Sequence, residues 1–524
     1  MVMLKNMPRD PDHRKGVRKL NRWALPLAAA LLLGACTSAD DEAPARSLDD
    51  YYGQKISFGN CEEFATTASD AGYLTAAEAE CGWLEVPLDY SEPEGATGRI
   101  AVSRVPARGE KPIGSMVLNP GGPGARGVSF AALLSQAWAQ SPVTENFDLV
   151  GFDPRGTGAT TPAVDCFTDA ERDSDALPGA ILGLGTADPV TLADRCAASV
   201  GGKDVLGHIG TRDTARDMDV LRAVLGDEKL TYTGASYGTR LGPVYAEMFP
   251  DRVRAMVLDG AVDPRQPSTQ AYRTQQLAGF QRAFDKLATA CAEQDSCPLG
   301  TDPAQATAQF NDLVQPLAQN PVPASGGRSL GFVAAVDSMV STLYDKAQWP
   351  QAIAGLTQLR KGKGDVLLEL RDNLHGRQED GSYVDFLEAT YAISCADDEH
   401  FTPEENSAAL QAYSDAAPFM APPSPIAAAV PDDCAGWPEH DPVGHPYAVG
   451  IEGLPNTLTV SVTGDAASPH EYGISLAETL GGDLLTVHGD LHVATIAGNE
   501  CVDDAVATYL VDLKGPGPGA ECWL

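Results

Sequence analysis

Between residues 114 and 259 the chain alternates short, unbroken apolar runs with segments of helical periodicity. The runs are Gly114-Ser-Met-Val-Leu-Asn-Pro120, Phe147-Asp-Leu-Val-Gly-Phe-Asp153, Leu230-Thr-Tyr-Thr-Gly234 and Val253-Arg-Ala-Met-Val-Leu-Asp259. A strand with one wet face alternates apolar and polar residues, whereas a continuous run suits a strand buried on both faces. Between the runs, Ala215, Met218, Leu221, Val224 and Leu225 recur at helix spacing within Thr211–Leu225, and a second helix is expected over Arg240–Phe249. Such alternation specifies an α/β fold with a mostly parallel sheet. A strand pair is expected ahead of it, Glu85–Tyr90 with Arg99–Ala107, around a turn containing Pro93 and Gly95.

The alternation then stops. Residues 266–429 read as helical over Thr269–Gln294, Pro303–Ala318, Leu330–Ser341, Trp349–Lys361, Leu387–Ser394 and Glu404–Ala416. Strand character returns at Thr457–Thr463 and Asp483–Val487. A sheet interrupted in this way implies an inserted helical cap, with a binding cleft between cap and sheet edge. The expected division is core over residues 51–265, cap over 266–429 and core again over 430–524.

Residues 1–22 carry seven Lys/Arg against Asp10 and Asp12, and a 13-residue apolar run, Trp23–Ala35, follows. The run is short for a membrane span and fits a signal peptide over residues 1–35. It ends Leu33-Gly-Ala-Cys36, which resembles a bacterial lipobox with Cys36 as lipid acceptor; residues 36–50 read as a polar tether. The chain is thus expected as a cell-envelope lipoprotein on the outer face of the cytoplasmic membrane. Ten further cysteines suit an oxidising compartment as five disulfides, and sequential pairing is the simplest choice: 61–81, 166–196, 291–297, 395–434 and 501–522. No Cys/His cluster has zinc spacing. A net charge of −35 argues against nucleic acid as a partner, and membrane contact is expected only through the lipid.

The chemistry begins at Gly234-Ala-Ser-Tyr-Gly238. This G-x-S-x-G lies between an expected strand and an expected helix, where a sharp turn flanked by small residues would present Ser236 Oγ above the sheet. A second match, Gly327-Arg-Ser-Leu-Gly331, follows the Pro-rich stretch 320–326 and reads as a loop leading into a helix. An acyl-transferring serine needs oxyanion donors. The backbone N–H of Tyr237 would be one, and the Gly-rich loop Asn119-Pro-Gly-Gly-Pro-Gly124, directly after a buried strand, would supply the other. An orienting acid and a base should follow in that chain order. Thr457–Thr463 leads into Gly464-Asp-Ala-Ala-Ser-Pro469, which nominates Asp465. Asp483–Val487 leads into His488-Gly-Asp-Leu-His492, where two histidines compete; the loop position favours His492 over His488, which abuts the strand. His208, His375, His400, His440, His445 and His470 lack such context and read as surface or hydrogen-bonded polar residues.

Asn119-Pro-Gly-Gly-Pro-Gly, Gly151-Phe-Asp-Pro-Arg-Gly156, Thr231-Tyr-Thr-Gly-Ala-Ser-Tyr-Gly-Thr-Arg240, Ile393-Ser-Cys-Ala-Asp397 and Gly464-Asp-Ala-Ala-Ser-Pro469 together resemble the secreted actinobacterial tripeptidyl aminopeptidases, relatives of prolyl aminopeptidases in the α/β-hydrolase superfamily. The resemblance runs from about residue 50 to the C-terminus. It implies an α/β-hydrolase core with an inserted, mainly helical cap, a Ser236–Asp465–His492 triad, and an oxyanion hole at Gly122 and Tyr237. Two motifs depart from the family: the acid motif reads Asp-Ala-Ala-Ser-Pro for Asp-Pro-x-Thr-Pro, and the histidine loop Gly-Asp-Leu-His for Gly-x-Gly-His. Both keep the reactive residue. The implied activity is release of short peptides, tripeptides above all, from free N-termini, with no metal or organic cofactor. A carboxylesterase on the same triad is the alternative. An aminopeptidase also needs an acidic partner for the α-ammonium, and Asp397, where the cap returns to the core, is the candidate. Arg155 reads as a structural ion-pair partner and Trp349 as cap core.

Overall fold

The computed structural model describes residues 46–174, 189–438 and 440–524. The expected signal peptide, Cys36 and the tether up to residue 45 lie outside the described residues.

Nine strands form one sheet: β1 (Glu80–Pro87), β2 (Thr97–Val105), β3 (Gly114–Asn119), β4 (Phe147–Phe152), β5 (Leu230–Ala235), β6 (Val253–Asp259), β7 (Leu458–Val462), β8 (Asp483–His488) and β9 (Ala520–Trp523). Their spatial order is β1-β2-β4-β3-β5-β6-β7-β8-β9. β1 with β2 and β2 with β4 run antiparallel; every other pair is parallel. The four apolar runs are β3 to β6 at the centre, and every residue of β5 is buried. Their continuity follows from having one hydrophobic cluster on each face of the sheet.

Register positions the site. Asn119 pairs with Gly234, Ala235 with Asp259, and Asp259 with Val460. The loops after β3, β5, β6 and β7 therefore leave one edge together, the carboxyl end of the strands, where open α/β sheets bind ligands. β8 lies parallel to β7, with Val487 beside Val462, so its loop joins them.

The chain between β6 and β7 carries the cap. Its helices include Thr269–Ala292, Ala306–Val314, Phe332–Leu343, Trp349–Leu359, Asp365–His375, Phe386–Asp397 and Pro403–Ala416. The first is capped by Ser268 Oγ, which accepts from Ala271 N at 3.2 Å, and it buries Leu277, Phe280, Phe284, Leu287 and Cys291 along one stripe. The cap has its own core, in which Phe284 stacks on Phe419 at 4.7 Å and Trp349 is buried. Ala466 and Ala467, from the loop after β7, belong to that cap core. Disulfides join 61–81, 166–196, 291–297, 395–434 and 501–522.

Some boundaries differ from expectation. The first hairpin lies earlier, because Cys81, Gly82 and Trp83 pair with Ser103, Val102 and Ala101 and extend β1 backwards. The helix Asp365–His375 and strand β9 were not anticipated. β9 has four residues and little intrinsic strand pattern; it is a strand because Leu485–His488 of β8 pairs with it and the Cys501–Cys522 disulfide ties it down.

Candidate active site

Ser236 sits on the turn from β5 to the helix Gly238–Met248 with φ +54°, in the left-handed region that side chains avoid. Its N–H donates to Asp259 O at 2.8 Å, and Thr239 N and Oγ1 both donate to Ser236 O, at 2.8 and 2.6 Å. Gly234 and Gly238 allow the turn: a Cβ at Gly234 would lie 2.5 Å from Gly238 O, and one at Gly238 3.1 Å from Asn119 O. Ser236 is partly exposed between buried neighbours. The competing Ser329 is exposed, in a two-residue ribbon (Ser329–Leu330 with Val322–Pro323) before the helix Phe332–Leu343.

The glycine loop lies against this turn. A Cβ at Gly121 would fall 2.5 Å from Ala235 O, 2.8 Å from Ser236 Cβ and 3.1 Å from Tyr237 N. Gly121 N donates to Asn119 Oδ1 at 2.9 Å. The N–H groups of Gly122 and Tyr237, by contrast, have no hydrogen-bond partner among the described residues. Two free donors beside a serine on a strained turn are what an oxyanion hole needs.

His492 Nδ1 lies 2.8 Å from Asp465 Oδ2, with both residues buried. Asp465 Oδ1 accepts from Ala467 N and Ser468 N, each at 2.9 Å, so the carboxylate is fixed by its own turn. Ser468 Oγ donates to Asp465 Oδ2 at 2.7 Å and stands 3.1 Å from His492 Nδ1. Sequence reasoning treated Ser468 only as part of a departure from the Asp-Pro-x-Thr-Pro motif; the available signal was the hydroxyl retained three residues after the acid. Gly260, directly after β6, packs against this pair: a Cβ there would come 3.0 Å from His492 Cε1 and 3.1 Å from Ser468 Oγ. Asp259, beneath, receives Thr495 N on Oδ2 at 2.7 Å, and burial pushes its carboxyl up to about 6. His488 turns elsewhere, stacking on Trp523 at 5.0 Å with Nε2 3.5 Å from Glu521.

Ser236, Gly122, Tyr237 and Ser468 line a cleft under the cap, with Tyr272, Arg273 and Tyr344. Asp397 also lines it, although Thr211 N donates to its Oδ1 at 2.8 Å and Thr211 Oγ1 donates to its Oδ2. Burial pushes Asp397 up to about 6. Burial would likewise raise Asp398, but Arg240, 2.7 Å away, and Arg273 at 4.0 Å outweigh it and hold it low. Arg155 is buried in a two-pronged pair with Asp217 at 2.6 and 2.8 Å and donates to Pro87 O and Leu88 O, so it braces the core.

The family profile described as alpha/beta hydrolase fold matches residues 114–424, and that described as TAP-like protein matches residues 424–522. Serine protease Hip1 of Mycobacterium tuberculosis is 38% identical over 522 residues, covering 97% of this chain and 98% of that protein. Carboxylesterase B of the same organism is 38% identical over 511 residues, covering 95% of each. The tripeptidyl aminopeptidase of Streptomyces lividans is 32% identical over 470 residues, covering 84% of this chain and 83% of that protein. Fold, the strained Ser236 turn and relatives agree: the chain belongs to the α/β-hydrolase family, in its tripeptidyl-aminopeptidase-like branch, and is a serine hydrolase.

Proposed function

We propose that this protein is an exported serine aminopeptidase that releases tripeptides from free N-termini through Ser236, Asp465 and His492. The observation that carries the reading is the buried Asp465–His492 pair meeting the same sheet edge as Ser236 and the two free N–H groups. His492 Nε2 takes the proton of Ser236 Oγ as it attacks the scissile carbonyl. Asp465 holds Nδ1 protonated and stabilises the imidazolium. Gly122 and Tyr237 N–H bind the oxyanion; His492 then protonates the leaving amine, and water hydrolyses the acyl-enzyme. Asp397 is the proposed partner of the substrate ammonium. The names of the relatives from Mycobacterium and Streptomyces support peptide substrates. The basic, apolar N-terminus supports export and anchoring through Cys36, and five disulfides suit that compartment. Peptides, and not nucleic acid, are then the partners, with membrane contact through the lipid alone.

The likeness to a carboxylesterase at the same identity favours a second reading, acyl-ester hydrolysis on the same residues. One comparison separates them: a tripeptidyl anilide with a free N-terminus, the same anilide N-acetylated, and a short acyl ester, each with Ser236→Ala as control. Cleavage of the free peptide alone, lost in Asp397→Asn through a raised KM, is the expected result. Equal cleavage of both peptides, or of the ester only, would sink the aminopeptidase reading.

A further inference from the structure

Three segments far apart in sequence bring Asp89, His208 and His440 together. Asp89 follows β1, His208 precedes the helix Thr211–Leu225, and His440 lies on the segment returning from cap to core. One ligand atom from each, two imidazole nitrogens and a carboxylate oxygen, lie within 4.8 Å of one another. His208 Nε2 is 3.7 Å from Asp89 Oδ2, and the two imidazole centroids are 3.9 Å apart. All three side chains are partly exposed, so a hydrated ion can reach them, and none lines the catalytic cleft.

Two of the three are oriented by groups behind them. His208 Nδ1 lies 3.2 Å from Oδ2 of Asp213, whose side chain is 4% exposed. An N–H donated there leaves the Nε2 lone pair facing Asp89. Asp89 Oδ1 accepts from Ser91 N and Ser91 Oγ, both at 2.7 Å, which leaves Oδ2 for the cluster. A carboxylate behind an imidazole that fixes its tautomer is the usual outer support of a metal-bound histidine. The nearby cations are already committed. Arg216 bonds Asp213 and Asp441, each at 2.7 Å, and Arg155 is paired with Asp217.

We propose that Asp89, His208 and His440 form a divalent-metal site of the zinc class, with water completing the coordination. Two imidazoles and a carboxylate suit zinc and its first-row neighbours and do not suit calcium or magnesium. Ligand atoms on a tetrahedral zinc lie roughly 3.3 Å apart, so small side-chain rotations close the cluster. The site is a fastener and takes no part in acyl transfer. It ties the return segment to the edge of the core, and a few residues on, Gly444 N donates to Asp397 O at 2.9 Å.

The test uses tag-free protein stripped with a chelator and titrated with zinc chloride alone, followed by calorimetry and thermal melting. Wild type should bind one ion per chain and melt higher with rising zinc. His440→Ala and Asp89→Asn should each lose at least tenfold in affinity, and Asp213→Asn about 10–100-fold, while His440→Ala keeps the wild-type melting temperature in chelator. Cobalt bound to wild type should show the strong visible bands of a tetrahedral N/O site, a readout independent of any variant's folding. No saturable binding, undiminished binding in His440→Ala, or a weak octahedral cobalt spectrum would each overturn the site.

Discussion

The two halves of the candidate triad are held by different parts of the molecule. Ser236 is a product of the sheet: it follows directly from the fully buried β5, and its N–H donates to Asp259 O at the end of β6. The histidine loop is bound largely to the cap. His492 N donates to Tyr344 O at 2.8 Å, Tyr344 meets the imidazole edge-on at 5.3 Å, Leu491 bridges Asp345, Lys346 N donates to Asp490 O at 3.1 Å, and Lys286 pairs with Asp490. It is tied to the core as well, by Thr495 N on Asp259, by Trp138 Nε1 on Thr495 O and by Asp465 on His492 Nδ1. The Ser236 turn is thus held locally, whereas the His492 loop is held both by the core and by cap residues more than a hundred positions earlier in the chain.

Four experiments break or sharpen this contrast. Ser236→Ala removes the proposed nucleophile and should cost about 10⁵–10⁶ in kcat with little change in melting temperature, because the turn is held by backbone; Asp465→Asn should cost about 10⁴. Steady-state kinetics on an activated ester measures both. Gly121→Ala places a Cβ 2.5 Å from Ala235 O at φ +95°, which shifts the elbow and its donors and should lower kcat by about 10²–10³. A normal kcat in that variant would mean that the loop does not form the hole.

The third concerns the seam between core and cap. Burial pushes Asp385 and Asp397 up to about 6 and Glu388 up to about 7. They accept from Gly158 N, Thr211 N and Cys166 N, all in the core. Unfolded carboxyls titrate near about 4, so between there and the folded values the native chain holds protons that the unfolded chain has released. Stability from these groups is complete below the unfolded value and is lost as pH rises through about 6–7. Melting temperature should fall between about pH 5.5 and 7.5, with hydrogen exchange rising first in the helix Phe386–Asp397; a rise in melting temperature would contradict the assignment. The smallest effect is expected from Lys286→Met. Its partly exposed pair with Asp490 is worth about 0.2–1 kcal/mol, so kcat should drop at most about fivefold and the difference should fade in high salt. A loss confined to folding, with normal kcat, would detach the cap from the base's position.

What could be read in sequence was what is encoded within a few residues. A continuous apolar run, a G-x-S-x-G and a helical period specify β5, the Ser236 turn and the following helix without any distant partner, because strained turns and buried strands select their own residues. The candidate acid and base, Asp465 and His492, were legible as polar residues in the loops that follow β7 and β8. The disulfides follow the same logic, each closing 6 to 39 residues. Strand β9 exists only through its pairing, so its sequence carried no signal. Ser468 beside His492, the strap from cap to histidine loop, the Thr211 donors on Asp397 and the meeting of Asp89, His208 and His440 were decided by tertiary structure alone. Each joins segments whose contact depends on how the cap returns to the sheet, and no short-range pattern encodes which side chains face across that join.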